Sequence, residues 1–177
     1  MNESEKFVHG QRERGDPATV ESVADILERE LHPMIADWLA RVELEPDLNC
    51  VPLSFEERTG HLPHLLHDVI ARLRLGALAK APLSKAAGEH GDLRRKQKYS
   101  VAMAVEESRL LQVTIFSTLH KYVRNLEFST LLPEIVLIAD EVDAQLKEQM
   151  LRFMAADAVY FAKAEAKAKA KAKAKAS

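Results

Sequence analysis

The sequence predicts an all-α protein, a single-domain helical bundle of about five helices with a long C-terminal helix. Three observations carry this. Apolar residues recur at three- and four-residue steps along most of the chain. No two-residue alternation bounded by hairpin turns occurs. Hydrophobic residues make up 47% of the chain but aromatics only 6%, so the core is built from Leu, Ile, Val, Met and Ala, a palette that suits helix-on-helix packing. At 177 residues the chain has the length of one domain and buries a core without covalent staples.

Residues 1–15 are polar, carry Gly10 and Gly15 and show no period, which predicts a disordered N-terminus. Asp16-Pro17 reads as a helix start, with Asp as N-cap and Pro at the first helical position. Val20, Val23, Leu27, Leu31, Met34, Trp38 and Val42 then form one apolar stripe, with a kink expected at Pro33. Leu44 to Leu53, with Pro46, Asn49 and Pro52, reads as a loop.

Ser54-Phe55-Glu56-Glu57 fits a capping box and opens a second helix, with Leu62, Leu65, Leu66, Val69, Ile70 and Leu73 inward. Pro63 requires a kink or a restart near His61, and Gly76 to Pro82 ends the element. Ser84 caps a third helix through Ala86, Ala87, His90 and Leu93 to about Gln97, weakened by Gly91 by roughly 1 kcal/mol relative to Ala. Ser100 caps a fourth, with Val101, Val105, Ser108, Leu111, Ile115, Leu119 and Tyr122 on its buried side. Ser129 is expected to cap a fifth, with Pro133 in its first turn. Ile135, Ile138, Val142, Leu146, Met150 and Phe153 form the stripe of that helix and a candidate seam for a homodimer.

Residues 16–160 thus form the domain, followed over 161–177 by an Ala/Lys low-complexity tail read as a solvated, frayed extension of the last helix. Lys163, Lys167, Lys169, Lys171, Lys173 and Lys175 against Glu165 give the segment from Ala162 a charge of +5, leaving −7 on the rest of a chain whose net charge is −2. Those lysines suit weak contact with nucleic acid or another polyanion. The lone Cys50 excludes an internal disulfide and favours a reducing compartment. The polar N-terminus lacks a signal-type apolar run, and no stretch reaches bilayer-spanning length, so a cytoplasmic location without membrane contact is expected.

The chemistry-bearing motifs are sparse. No nucleophile elbow, phosphate loop or dinucleotide fingerprint is present, so no catalytic residue, no cofactor and no enzymatic activity are expected. His61, His64 and His67 follow at three-residue steps, without the Glu-x-x-His pairs of bundle metal sites; a polar helix edge opened by Pro63 is the favoured reading over a metal site. His120, beside Phe116 and Leu119, is a candidate haem ligand, and a satisfied or surface histidine is the favoured reading. The richest segment runs from Glu89 to Ser100. His90 and Arg94 share a face there, near Tyr99, and one of Glu106 and Glu107 is expected to turn inward to an arginine. His90, Arg94, Tyr99, Glu106 and Glu107 are therefore the candidate ligand-binding or signalling residues, with a structural ion-pair network between helices as the alternative.

Four motifs carry a resemblance: His61-Leu62-Pro63-x-Leu65-Leu66, Glu89-His90-Gly91-x-x-Arg94, Gln97-x-Tyr99-Ser100 and Glu106-Glu107-Ser108-Arg109-Leu110. Together they resemble the N-terminal domain of the RsbT co-antagonist RsbRD, over roughly Asp16 to Phe153. Similar domains precede sensor histidine kinases and anti-sigma regulators. The resemblance implies a helical sensory input module without catalytic activity, related to input domains with a globin-like fold lacking haem. His90, Gly91 and Arg94 match the family's His-Gly-x-x-Arg. The kinase or regulatory output domain usual in the family does not follow, so a separate partner protein is expected to carry the signal. A basic-tailed scaffold and a metal- or haem-binding bundle are the alternatives.

Overall fold

The computed structural model describes residues 21–77 and 82–176. The expected disorder over 1–15 and the helix start at Asp16-Pro17 lie outside these residues. Among the described residues all regular structure is helical: α1 (Val23–Arg29), α2 (Leu31–Glu43), α3 (Pro46–Asn49), α4 (Phe55–Thr59), α5 (Leu62–Leu75), α6 (Lys85–Lys96), α7 (Val101–Lys121), a 3-10 turn (Val123–Asn125) and α8 (Phe128–Ala176). The chain is thus an all-α bundle dominated by α2, α5, α6, α7 and α8.

Backbone chemistry explains where helices break. The first expected helix is split at Glu30, because Pro33 has no N–H to offer the carbonyl of Arg29; the ladder resumes with Met34 N–H donating to Glu30 O. Pro63 acts likewise. α4 ends at Thr59 and α5 restarts at Leu62, leaving carbonyls of the last turn of α4 without helical partners. The presumed loop from Leu44 to Leu53 contains the single turn α3, with Pro46 in the first turn, where proline costs no hydrogen bond.

Three serine caps are where the sequence says. Ser54 and Glu57 form the capping box: Ser54 N–H donates to Glu57 Oε2 at 2.8 Å, and Glu57 N–H to Ser54 Oγ at 3.2 Å. Ser84 and Ser100 cap α6 and α7 through Ala87 N–H and Met103 N–H. Ser129 is not a cap. α8 begins at Phe128, so Ser129 lies in the first turn and donates to Glu127 Oε1, and Pro133 falls beyond that turn. At the end of α6, Lys98 takes a left-handed φ of 66°. Lys98 N–H bonds Arg95 O and Tyr99 N–H bonds Arg94 O, closing a Schellman turn that folds Tyr99 back under the helix.

The core runs through Ile26, Leu27, Met34, Trp38, Leu62, Leu66, Val69, Ile115, Ile138 and Val142. α1 lies against α5, α2 against α7, and α8 against α5, α7 and, most extensively, α6. The stripe of α8 is spent on this packing. Ile138, Val142 and Phe153 are buried within the chain, and so are not free to form a seam between two copies. On α7, Val101 and Val105 face solvent, and the buried face carries Ala104, Glu107, Leu111, Thr114 and Ile115 instead. Leu93 of α6 is likewise exposed, because Gly88, Gly91 and Arg94 form the face turned to α8 and α7. α8 stays helical through the Ala/Lys segment to Ala176. Among the described residues no helix is long and apolar enough to cross a membrane.

Gly91 sets a close approach of two helices. A Cβ there would lie 2.2 Å from the Gln149 carbonyl oxygen and 3.0 Å from its carbonyl carbon, so the α6 and α8 backbones touch directly. The helix penalty noted from sequence is the cost of that approach. At Gly88 the nearest atom is the Arg152 Cγ at 3.3 Å, on a flexible side chain. Gly91→Ala is therefore expected to destabilise the protein by about 1–3 kcal/mol or more in urea denaturation. Gly88→Ala should be neutral or stabilising by up to about 1 kcal/mol. Equal effects at the two sites would contradict the contact.

Candidate functional site

Side chains and carbonyls from α2, α4, α6, α7 and α8 and from the segments between helices meet at one buried polar centre. Its middle is the Arg94 side chain, fully enclosed, with Glu107 beside it at 3% exposure. Arg94 Nε donates to Glu107 Oε2 at 2.8 Å. Its terminal nitrogens donate to the carbonyls of Glu57 (3.0 Å) and Arg58 (2.9 Å) and to Gln97 Oε1 (2.7 Å). The two carbonyls belong to the last turn of α4, so Arg94 satisfies acceptors that the Pro63 break leaves open.

The second carboxylate oxygen of Glu107 accepts from Tyr99 Oη at 2.9 Å, and Arg94 lies over the Tyr99 ring. Arg58 extends the network. It donates to Tyr99 Oη (3.3 Å) and to the carbonyls of Leu48 (3.4 Å) and Val51 (2.9 Å), which ties down the loop after α3. Trp38 Nε1 donates to the Glu107 carbonyl at 3.2 Å.

Two histidines complete the centre. His90 Nε2 lies 3.4 Å from Glu107 Oε2. The His90 ring stacks on His61, with centroids 3.6 Å apart and planes 12° from parallel, and Trp38 meets His61 edge-on at 6.0 Å. Beside the stack is a cavity of about 20 Å³, walled by His61, His90, Leu65, Leu111, Gln145 and Gln149 among others. That is room for one or two waters. Four enclosed polar atoms of its walls have no protein partner: Nδ1 of His61, Nδ1 of His90, Oε1 of Gln145 and Nε2 of Gln149.

Charge in the centre follows from burial and pairing. Burial pushes the Glu107 carboxyl up, but the bonds from His90 and Arg94 outweigh it and hold the group below its usual range, as a carboxylate. Burial lowers His90 despite the opposing pull of Glu107. Burial, helped by the neighbouring His90 and Arg94, sets His61 well below its ordinary value. Burial and the Glu107 charge push Tyr99 up to about 12. The centre at neutral pH is thus one arginine–carboxylate pair, a neutral tyrosine and two neutral imidazoles.

Of the residues singled out from sequence, His90, Arg94, Tyr99 and Glu107 converge here. Glu106 does not: a neighbour of Glu107 points about 100° away on a helix, and it pairs outward with Arg109. His61 turns into the centre, whereas His64 and His67 line an outer groove with Asp68 and Glu89. His120 is exposed. Among the described residues no group of three or more His, Cys, Asp or Glu side chains is arranged to hold a metal ion. Sequence reasoning missed Arg58, Trp38, Gln145 and Gln149. Gln145 and Gln149 are 4% and 5% exposed, with Glu141 at 3%, a polar row on the inner face of α8. Their signal was present, since they fall at helical steps among Ile138, Val142 and Phe153.

Fold and centre together define an all-α bundle with a polar core site closed by its last helix. Comparison with protein-family models, curated proteins and solved structures finds no match to this chain.

Two outcomes follow. Arg94→Leu strands a buried carboxylate and is expected to cost about 3–5 kcal/mol. Adding Glu107→Leu should recover part of that loss, giving a coupling of about 1–3 kcal/mol in a double-mutant cycle read by urea denaturation. Full additivity would show that the two side chains do not interact. The histidines set a pH dependence. Their folded pKa values lie below the unfolded 6.5, so the unfolded chain binds more protons and stability falls as pH drops below about 6.5. The slope is up to about 1.4 kcal/mol per pH unit for each histidine. His61→Phe should keep the stacked ring and flatten this slope; an unchanged pH profile would place His61 outside the centre.

Proposed function

We propose that the chain is a non-catalytic sensory or regulatory module that acts through a protein partner, with the buried centre as its input and α8 as its output. The observation that supports this is the set of four unpartnered polar atoms around the cavity. They come from the residue that precedes α5, from α6 and from α8. Native cores leave few such groups, because each costs about 1–3 kcal/mol when nothing satisfies it. A core that keeps them at one spot, against the helix that runs on to Ala176, is suited to gating the docking of that helix. The resemblance to RsbRD-type input domains points the same way, since His90, Gly91 and Arg94 are among the residues that carry it.

The basic tail fits as an extension of the output. The Ala/Lys segment is continuous with the helix that closes the centre, so a change at Gln149 and a polyanion or partner bound beyond residue 161 share one rod.

Hydrogen exchange tests the coupling. Gln149→Leu removes an unpartnered donor at nearly constant volume. It is expected to slow amide exchange by about tenfold along α6 and along α8 from residue 141 to 153, since both helices open locally through this contact. A change confined to the one turn around residue 149 would defeat the proposal.

A further inference from the structure

The polar atoms of the cavity specify what it holds. Gln145 Nε2 donates to Leu65 O at 3.1 Å and to Glu141 Oε1 at 3.2 Å, which fixes the amide orientation and leaves Oε1 as a free acceptor. His90 points Nε2 at the Glu107 carboxylate, so Nε2 carries the proton and Nδ1 of the neutral ring is a second free acceptor. Gln149 Nε2 is enclosed without a protein partner, and no bond within the chain fixes this amide, so it is free to turn its N–H₂ to a ligand. His61 Nδ1 donates or accepts according to its tautomer.

We propose that this cavity is a binding site for a small uncharged molecule of about three heavy atoms that donates two hydrogen bonds and accepts at least one, the chemistry of the smallest primary amide. One N–H goes to His90 Nδ1, a second to Gln145 Oε1, and the carbonyl oxygen accepts from Gln149. An anion is rejected, because it meets two acceptors and brings an uncompensated charge into the core. The apolar walls Leu65 and Leu111 cover the remaining surface. His61, Ser108 and Leu146 are the lining residues that reach solvent. Ligands this small bind no tighter than about millimolar, which suits a module that reports the concentration of an abundant solute.

This assignment builds on the sensory reading of the same centre, and one isosteric pair tests it. Formamide and formate have the same heavy-atom count, but only formamide is neutral with two donors. Formamide titrated into the full-length protein at pH 7.5 is expected to give saturable shifts of the His61 and His90 ring signals and the Gln145 and Gln149 side-chain amides. Formate at the same concentrations should give none. Gln149→Leu, which removes a donor that bonds nothing else, should weaken formamide binding about tenfold. Shifts that rise linearly without saturation, shifts shared by formate, or a Gln149→Leu variant that binds formamide as well as the parent would each overturn the assignment. Saturation without any change in α8 amide exchange leaves the site standing and removes the sensory reading instead.

Discussion

The Arg94–Glu107 pair is the constraint on which the rest of the bundle depends. A guanidinium with no exposure needs every donor engaged. Its bonds reach a carboxylate on α7, a glutamine at the end of its own helix and two carbonyls of α4. α4, α6 and α7 therefore cannot be rearranged separately. The other groups of the centre lean on the same pair. Tyr99 and His90 are oriented by the two oxygens of Glu107, and His61 is oriented by the face of His90. The arginine also resolves a local fault, because the turn broken before Pro63 would otherwise bury two unpaired carbonyls.

Most of the helices were legible in the sequence, since the signals that specify them are local. Ser54, Ser84 and Ser100 cap because a short hydroxyl side chain reaches the N–H three residues on. Pro33 and Pro63 break helices because they lack a donor. The misreadings lie where tertiary packing decides. Ser129 satisfies the cap pattern, yet Phe128 already belongs to α8. Val101 and Val105 are apolar at helical spacing, yet the bundle turns the Glu107 face of α7 inward.

The site was half legible for a physical reason. Periodicity arguments assign apolar residues to the core and polar ones to solvent. His90, Arg94, Tyr99 and Glu107 stood out because they crowd one short stretch. Arg58 was invisible because it sits alone in a short helix, and only the fold shows that its neighbours in space are the Tyr99 hydroxyl and the carbonyls of Leu48 and Val51. Glutamines at positions 145 and 149, in register with a leucine- and valine-lined face, are the kind of interruption that marks a buried polar interface in advance.

The bare contact at Gly91 makes the last helix a lever. No side chain separates the two backbones there, so a push of α6 toward α8 meets backbone rather than a side chain that can swing aside. From Gln149 to Ala176 the rod is about 40 Å long, and a tilt of only about 5° at the pivot would sweep its tip through roughly 3.5 Å. A displacement too small to disturb the core would thus be magnified at the lysine-bearing end.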